Sequence, residues 1–149
     1  MRVWNSKILK MDKKIIDFLK SQHVMSLCVC DENEVYACSA FYAFSTDFKS
    51  IIFASDENTK HMKMALKNPS VALNIALQTR IPGRIKGIQA KGRLQDICEF
   101  DNAQQKEFKR LYFGAFPYAL VLNPSLYIIS LEWIKFTNNA LAKKQIWQK

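Results

Sequence analysis

The sequence predicts a mainly β (α+β) fold in which six antiparallel strands curl into a small barrel with peripheral helices. Three observations predict this class. Six β-prone segments follow one another with few helical segments between them, whereas a doubly wound parallel sheet requires a helix between each pair of strands. The 149 residues suffice for one domain with a single core. The hydrophobic fraction of 49% and the charged fraction of 23% are those of a globular protein.

The first regular element is an amphipathic helix. Apolar residues from Met11 to Leu19 recur at helical spacing, which predicts a helix over 12–22. Residues 1–10 lack the apolar stretch of a secretory signal, and Met11 is a candidate natural start. We therefore expect 1–10 to be a disordered extension ahead of a single domain over 11–149.

Six segments have the β-branched, aromatic and apolar composition of strands. They are 24–30, 35–44, 49–55, 71–77, 84–97 and 126–137. The second is long and aromatic, which predicts a strand buried on both faces. In the fifth, Gly87 and Gly92 permit a bulge or the close approach of another backbone. The sixth is interrupted near Glu132, which predicts one strand or a bulged pair.

Two further helices are predicted. The first covers 58–66 and stops before Pro69, because the residue ahead of a proline disfavours helical geometry. The second begins at Asp101, which opens a capping-box pattern, runs to Tyr112 and is ended by Gly114. A short helical turn over residues 116–122 follows, and no regular element is predicted for the tail after 138.

The formal net charge of +9 favours anionic partners. Exposed aromatics such as Trp4 and Trp147 would suit a nucleic-acid-binding barrel. The basic residues are dispersed, however, and no stacking platform is evident, so nucleic acid is an unlikely partner. No apolar run approaches the roughly 20 residues that span a bilayer, so we expect no membrane association.

Cysteine and histidine usage argues against a metal site. The four cysteines include no C-x-x-C pair, and the chain has two histidines. Neither a zinc site nor a disulfide framework is expected, and the pattern fits a reducing cytoplasm. Phosphate-binding glycine loops and the G-x-S-x-G elbow of hydrolases are also missing. No catalytic residue is predicted, so any redox chemistry would belong to a bound cofactor.

The junction between the third strand and the following helix is the best candidate site. Ser55 ends an apolar strand, and Thr59, Lys60 and His61 open a helix. A helix N-terminus presents free N–H groups and a positive dipole, so with hydroxyls and cations it forms a phosphate seat.

A simpler interpretation of the same junction is a plain helix cap. Asn58 would cap the helix, with Thr59 and Lys60 in solvent. Asp56 and Glu57 favour this interpretation, because carboxylates already satisfy the helix dipole.

Several motifs, in this order and spacing, resemble one known family. They are Gln22-His23-Val24, Ala40-Phe41-Tyr42, Phe53-x-Ser55-x-x-x-Thr59-Lys60-His61, Asn68-Pro69-x-Val71-Ala72, Gly87-x-Gln89-x-Lys91-Gly92 and Ile134-Lys135-Phe136-Thr137-Asn138. Over nearly the whole chain, this sequence resembles the pyridoxamine 5'-phosphate oxidase-like FMN-binding split barrels, in particular their YhbP-like branch. The resemblance implies a split β-barrel.

It also implies a homodimer with FMN at its interface. Four of the implied cofactor-binding residues lie on the second strand, along the flavin, and four lie at the strand–helix junction, around the phosphate. These are Ser39, Ala40, Phe41, Tyr42, Ser55, Thr59, Lys60 and His61. Gly87, Gln89 and Trp147 would approach a flavin held by the other subunit.

The sequence also departs from the oxidases. Ser39 stands where they carry an arginine, and His61 replaces a lysine, so the phosphate would meet fewer permanent charges. Their arginine-rich C-terminal signature is missing, so vitamin-B6 oxidation is not expected. The sequence hypothesis is an FMN-dependent oxidoreductase acting on an unidentified small molecule. The alternative is a non-catalytic flavin- or haem-binding storage or sensor protein of the same fold.

Overall fold

The protein is described here from a computed structural model covering residues 11–149, with only the backbone of Lys143. The predicted extension 1–10 lies outside the described residues. Residues 11–149 contain four α-helices: α1 (Lys13–Ser21), α2 (Lys60–Lys67), α3 (Asn102–Ala115) and α4 (Ala119–Leu122). Short 3-10 turns cover Pro82–Arg84, Ile97–Glu99 and Asn139–Leu141.

In the part of the chain that the structure describes, seven strands form one antiparallel sheet. They are β1 (Val24–Cys30), β2 (Val35–Phe44), β3 (Ser50–Ser55), β4 (Ser70–Ala76), β5 (Lys86–Asp96), β6 (Ser125–Asn138) and β7 (Lys143–Gln148). Their order is β3-β2-β1-β4-β5-β6-β7, and an additional pairing of β3 with β6 closes the first six strands into a barrel. The six-stranded antiparallel barrel predicted from sequence is therefore confirmed, with a seventh strand added.

Strand β6 holds the barrel together by changing partners along its length. Its first half pairs with β3, and its second half pairs with β7. Opposite Lys91 and Gly92 of β5, the register shifts and Glu132 becomes the extra residue of a bulge. A Cβ on Gly92 would lie 2.5 Å from the Ser130 carbonyl oxygen, so the predicted close approach of another backbone occurs here.

The helices cover different parts of the barrel. Helix α1, through Phe18 and Leu19, and helix α2, through Met62, pack into the core inside the barrel. Helix α3 covers part of the outer surface, where Phe108 and Tyr112 belong to a second apolar cluster with residues of β2, β3 and β6. Burial of each such side chain contributes about 1.5–3 kcal/mol, so both clusters stabilise the fold.

Three predictions are wrong. Strand β2 is not buried on both faces: its outer positions in the first half are open, and the Val35 side chain is 78% exposed. Gly114 does not end α3, which continues to Ala115 and is capped where the Phe116 N–H donates to the Tyr112 carbonyl. Trp147 is not an exposed aromatic, because β7 carries it into the core, where it is 6% exposed.

Over residues 11–149, none of the helices has the length and apolar character that crossing a bilayer requires.

Candidate functional site

A seam between β2 and β3 creates the site. The two strands pair from Phe44–Ile51 to Tyr42–Phe53 and then separate. Beyond that point β2 pairs with β1, and β3 continues along β6. Phe41 and Ser55 therefore border an opening that no ladder hydrogen bond bridges.

A cavity of about 920 Å³ opens at this seam. Phe41, Ala54 and Ser55 form its strand side, and the end of α3 with the segment around α4 forms the opposite wall. This wall is mainly apolar and aromatic: Tyr112, Phe116, Pro117, Tyr118 and Leu122. The volume and lining are those of a pocket for a small organic ligand.

Ser55, which lines the cavity, meets His61 and Thr59 at a corner beside the cavity. His61 Nε2 lies 2.8 Å from Ser55 Oγ and 3.2 Å from Thr59 Oγ1. The Thr59 hydroxyl donates its one hydrogen to the Asp56 carbonyl, so towards His61 it can only accept. With its hydrogen on Nε2, the imidazole would share this one donor between both hydroxyl oxygens. In that tautomer the Ser55 O–H is left to donate to an outside acceptor.

The start of α2 adds backbone donors to this corner. Thr59, not Asn58, is the N-cap, and its hydroxyl accepts from the Met62 N–H at 3.4 Å. Among residues 11–149, no acceptor faces the backbone N–H groups of Lys60 and His61, as is normal for a first helical turn. The helix N-terminus is therefore open to an anion.

The corner holds little permanent positive charge. Partial burial lowers the pKa of His61 below its ordinary value, because desolvation disfavours the imidazolium. The imidazole is therefore neutral at pH 7. An anion at this corner would meet hydroxyl and amide donors, and the imidazole would become a further donor when it takes up a proton.

Lys60 points away from the corner. Its Nζ lies 2.8 Å from Glu34 Oε2 and 4.9 Å from the centre of the Tyr36 ring. Glu34 raises the pKa of Lys60 by accepting this hydrogen bond. Of the four candidate residues at the junction, the structure brings three together. The fourth, Lys60, pairs with Glu34 outside this corner.

Alternation along β2 divides the other four candidates between two faces. Ser39 and Phe41 point outwards, and Phe41 is 55% exposed with its ring 5.3 Å from that of Phe116. Ala40 and Tyr42 point into the barrel. The Tyr42 hydroxyl donates to the Leu19 carbonyl at 2.9 Å, so this side chain belongs to the core.

Sequence reasoning missed the α3–α4 wall and the acidic edge of the cavity. The segment Pro117–Leu122 combines an aromatic residue with aliphatic ones, but their exposure is known only from the structure, so the sequence offered no signal for this wall. Asp56 and Glu57 were treated as part of a helix cap. They also line the cavity.

Comparison with known proteins places the fold and the family. No protein-family model matches the chain. The chain is 42% identical over 132 residues to a UPF0306 protein from Campylobacter jejuni, covering 88% of this chain and 92% of that protein.

Two solved structures share the architecture. One is a FAD-binding protein from Mesorhizobium loti, with a TM-score of 0.67, 12% identity, and coverage of 91% of this chain and 93% of that one. The other is the haem-storage protein HutZ from Vibrio cholerae, with a TM-score of 0.68, 10% identity, and coverage of 83% and 92%. The chain therefore has the split-barrel fold that flavin- and haem-binding proteins also use.

Proposed function

We propose that this chain, which belongs to the UPF0306 family, binds FMN at the seam and acts as an oxidoreductase on a small molecule. The observation that carries the proposal is the convergence of Ser55, Thr59 and His61 at an open helix N-terminus beside a ligand-sized cavity. The fold-level likeness to a FAD-binding protein supports a flavin, and the resemblance to the YhbP-like branch supports FMN in particular.

The donor set fits a phosphate. Ser55 offers an O–H, His61 offers an imidazole that can take up a proton, and the first turn of α2 offers two N–H groups. Hydrogen bonds to a charged group contribute about 1.5–3 kcal/mol each. We assign the phosphate to this corner, with Thr59 holding the imidazole in place.

The outer face of β2 is suited to the flavin ring. Ser39 and Phe41 lie on this face, and Phe41 borders the same cavity as Ser55. The side chains of Ala40 and Tyr42 belong to the core, so these two residues would offer the flavin only their backbone groups. When bound, the flavin supplies hydride or electron transfer, and the chain's own residues hold and orient it.

We further propose a homodimer formed through the uncovered sheet face. Two rows of small or polar residues cross four adjacent strands: Ser39, Ser26, Asn74 and Gln89, then Ala37, Cys28, Ala72 and Lys91. All except the half-buried Cys28 are exposed. Small side chains let a second sheet approach closely, and a partner here would lie beside Ser39 and close the flavin site.

Sedimentation equilibrium tests the dimer. The expected result is a dimer for the wild type and a shift to monomer for Ser26→Arg, because the new charge lies in the middle of the first row. Asn33→Arg, in the exposed turn between β1 and β2, is the matched control and should remain dimeric. A monomeric wild type would contradict the proposal.

Titration with FMN and with riboflavin tests the cofactor. The two ligands share the ring and differ by the phosphate, so tighter binding of FMN measures the phosphate seat alone. We expect FMN to bind at least about tenfold tighter, the effect of one charge-assisted hydrogen bond. Equal affinities for FMN and riboflavin would contradict the phosphate site. Absence of binding by either flavin would contradict the proposed function. Reduction of bound FMN by a nicotinamide donor would then support catalysis over storage.

Haem binding is the second candidate. His23 lines another cavity of about 640 Å³ together with Tyr42, Phe44 and Phe48, and Lys20 and Arg110 lie at the same cavity. An imidazole beside aromatic walls and basic groups suits a porphyrin with carboxylates. Haem titration would support this alternative if the wild type gave a Soret shift and His23→Ala abolished it.

A cytoplasmic location is part of the same proposal. All four cysteines are free thiols, as expected in a reducing compartment.

A further inference from the structure

The lining of the seam cavity has an unexpected charge. The chain carries 22 basic and 13 acidic residues, yet the formally charged residues that line this cavity are Asp56 and Glu57. Within residues 11–149, no lysine, arginine or histidine lines it. The cavity therefore combines aromatic walls with a negative edge, in a protein that is positive overall.

We propose that this cavity binds a planar aromatic ligand carrying a cationic amino or amidinium group. The ring would contact the α3–α4 wall, and the cation would pair with Glu57 and Asp56. This site is distinct from the phosphate corner, because the corner consists of donors and the cavity edge consists of acceptors. The inference does not depend on flavin binding and is tested without it.

The wall provides surfaces for an aromatic ring. The Phe116 ring lies 5.1 Å from Tyr112 and 5.3 Å from Phe41, at interplanar angles of 50° and 52°, and all three residues line the cavity. Tyr118 is 91% exposed at the same wall. Aromatic faces also attract a cation, which adds to the preference for a positively charged ligand.

The carboxylates are available to a ligand. Within residues 11–149, Glu57 takes part in no ion pair and accepts no hydrogen bond. Asp56 uses Oδ1 to accept from the Asn58 backbone N–H and side chain, and its Oδ2 remains open. The hydrogen bonds from Asn58 lower the pKa of Asp56. The positive charge of Lys63, which is not among the lining residues, lowers it further, so Asp56 is ionised at neutral pH.

Three probes of the same ring system but different charge test the inference. They are 2-naphthylmethylammonium, 2-naphthalenemethanol and 2-naphthoate, titrated into the flavin-free protein by calorimetry. We expect the cation to bind about tenfold or more tighter than the anion, in line with charge-assisted pairing. Glu57→Gln, and separately Asp56→Asn, should reduce this preference, and the double variant should abolish it.

The controls separate this site from other effects. Asp17→Asn removes an exposed carboxylate on α1, away from the cavity, and should keep the preference for the cation. Phe116→Ala should weaken all three probes together. A cation that binds no tighter than the anion would overturn the inference, as would a preference that survives the double variant. The ratio of FMN to riboflavin affinity, measured in parallel on the same variants, reports on the phosphate corner alone.

Discussion

Two regions that meet at Ser55 differ in the sign of the ligand group that they suit. On the α2 side, hydroxyls, an imidazole and free N–H groups form a set of donors. On the cavity side, two carboxylates stand against aromatic walls. Adjoining parts of one seam therefore suit ligand groups of opposite charge, with donors on the helix side and acceptors on the cavity side.

The contrast arises from local geometry. The strand-to-helix turn is short, so Asp56 and Glu57 lie between Ser55 and the first turn of α2. Both residues line the cavity, while the helix N-terminus gathers Thr59 and His61 around Ser55. A phosphate and a cationic ring would each find the region that suits it.

The largest effect is expected from His61→Ala. Loss of the imidazole removes one donor and releases Ser55, so FMN affinity should fall by about 10- to 100-fold, the equivalent of one or two charge-assisted bonds. Riboflavin affinity should stay nearly constant. His23→Ala, which removes the other histidine, is the matched control in fluorescence-quenching titrations. A parallel loss for both ligands would mean that His61 supports the ring and not the phosphate.

A smaller effect is expected from pH. The pKa of His61 is lowered in the free protein, and a bound phosphate dianion favours the imidazolium, which raises that pKa in the complex. The complex therefore takes up a proton as the pH falls, and FMN should bind about three- to tenfold tighter near pH 6.5 than near pH 8. Riboflavin should show no such trend. A flat FMN profile, or one unchanged in His61→Ala, would contradict this role.

The smallest effect is expected from Lys60→Ala. Since Glu34 and Tyr36 hold the ammonium away from the corner, FMN affinity should change by less than about threefold, as for a distant exposed charge. Glu34→Gln serves as the companion variant, because it frees Lys60 without removing it. A tenfold loss in Lys60→Ala would show that this side chain leaves Glu34 to reach the ligand.

Most of the barrel could be predicted because its strands alternate clearly. In β4 the exposed and buried positions alternate without a break, and the same period marks β1. Strand β7 was missed since Lys143–Gln148 is polar, and only its pairing with β6 and the burial of Trp147 make it a strand. The open face of β2 was missed for a similar reason: composition reports apolar residues, but not whether a helix covers them.

The phosphate corner was within reach of the sequence because its members are close in the chain. Ser55 and His61 are six residues apart, and the turn between them brings their side chains together. The orientation of Lys60 could not be predicted from the sequence, because it depends on Glu34, which is 26 residues earlier. The cavity was also out of reach, because it requires α3 and α4 to dock opposite β3.

Amide NMR on the labelled protein tests directly whether the phosphate binds at the first turn of α2. The backbone N–H groups of Lys60 and His61 should shift on addition of FMN and should remain in place on addition of riboflavin. Signals from residues beside the ring, such as Phe41, should respond to both ligands. If FMN shifted other signals but left those of Lys60 and His61 unchanged, the phosphate would not bind at the first turn of α2.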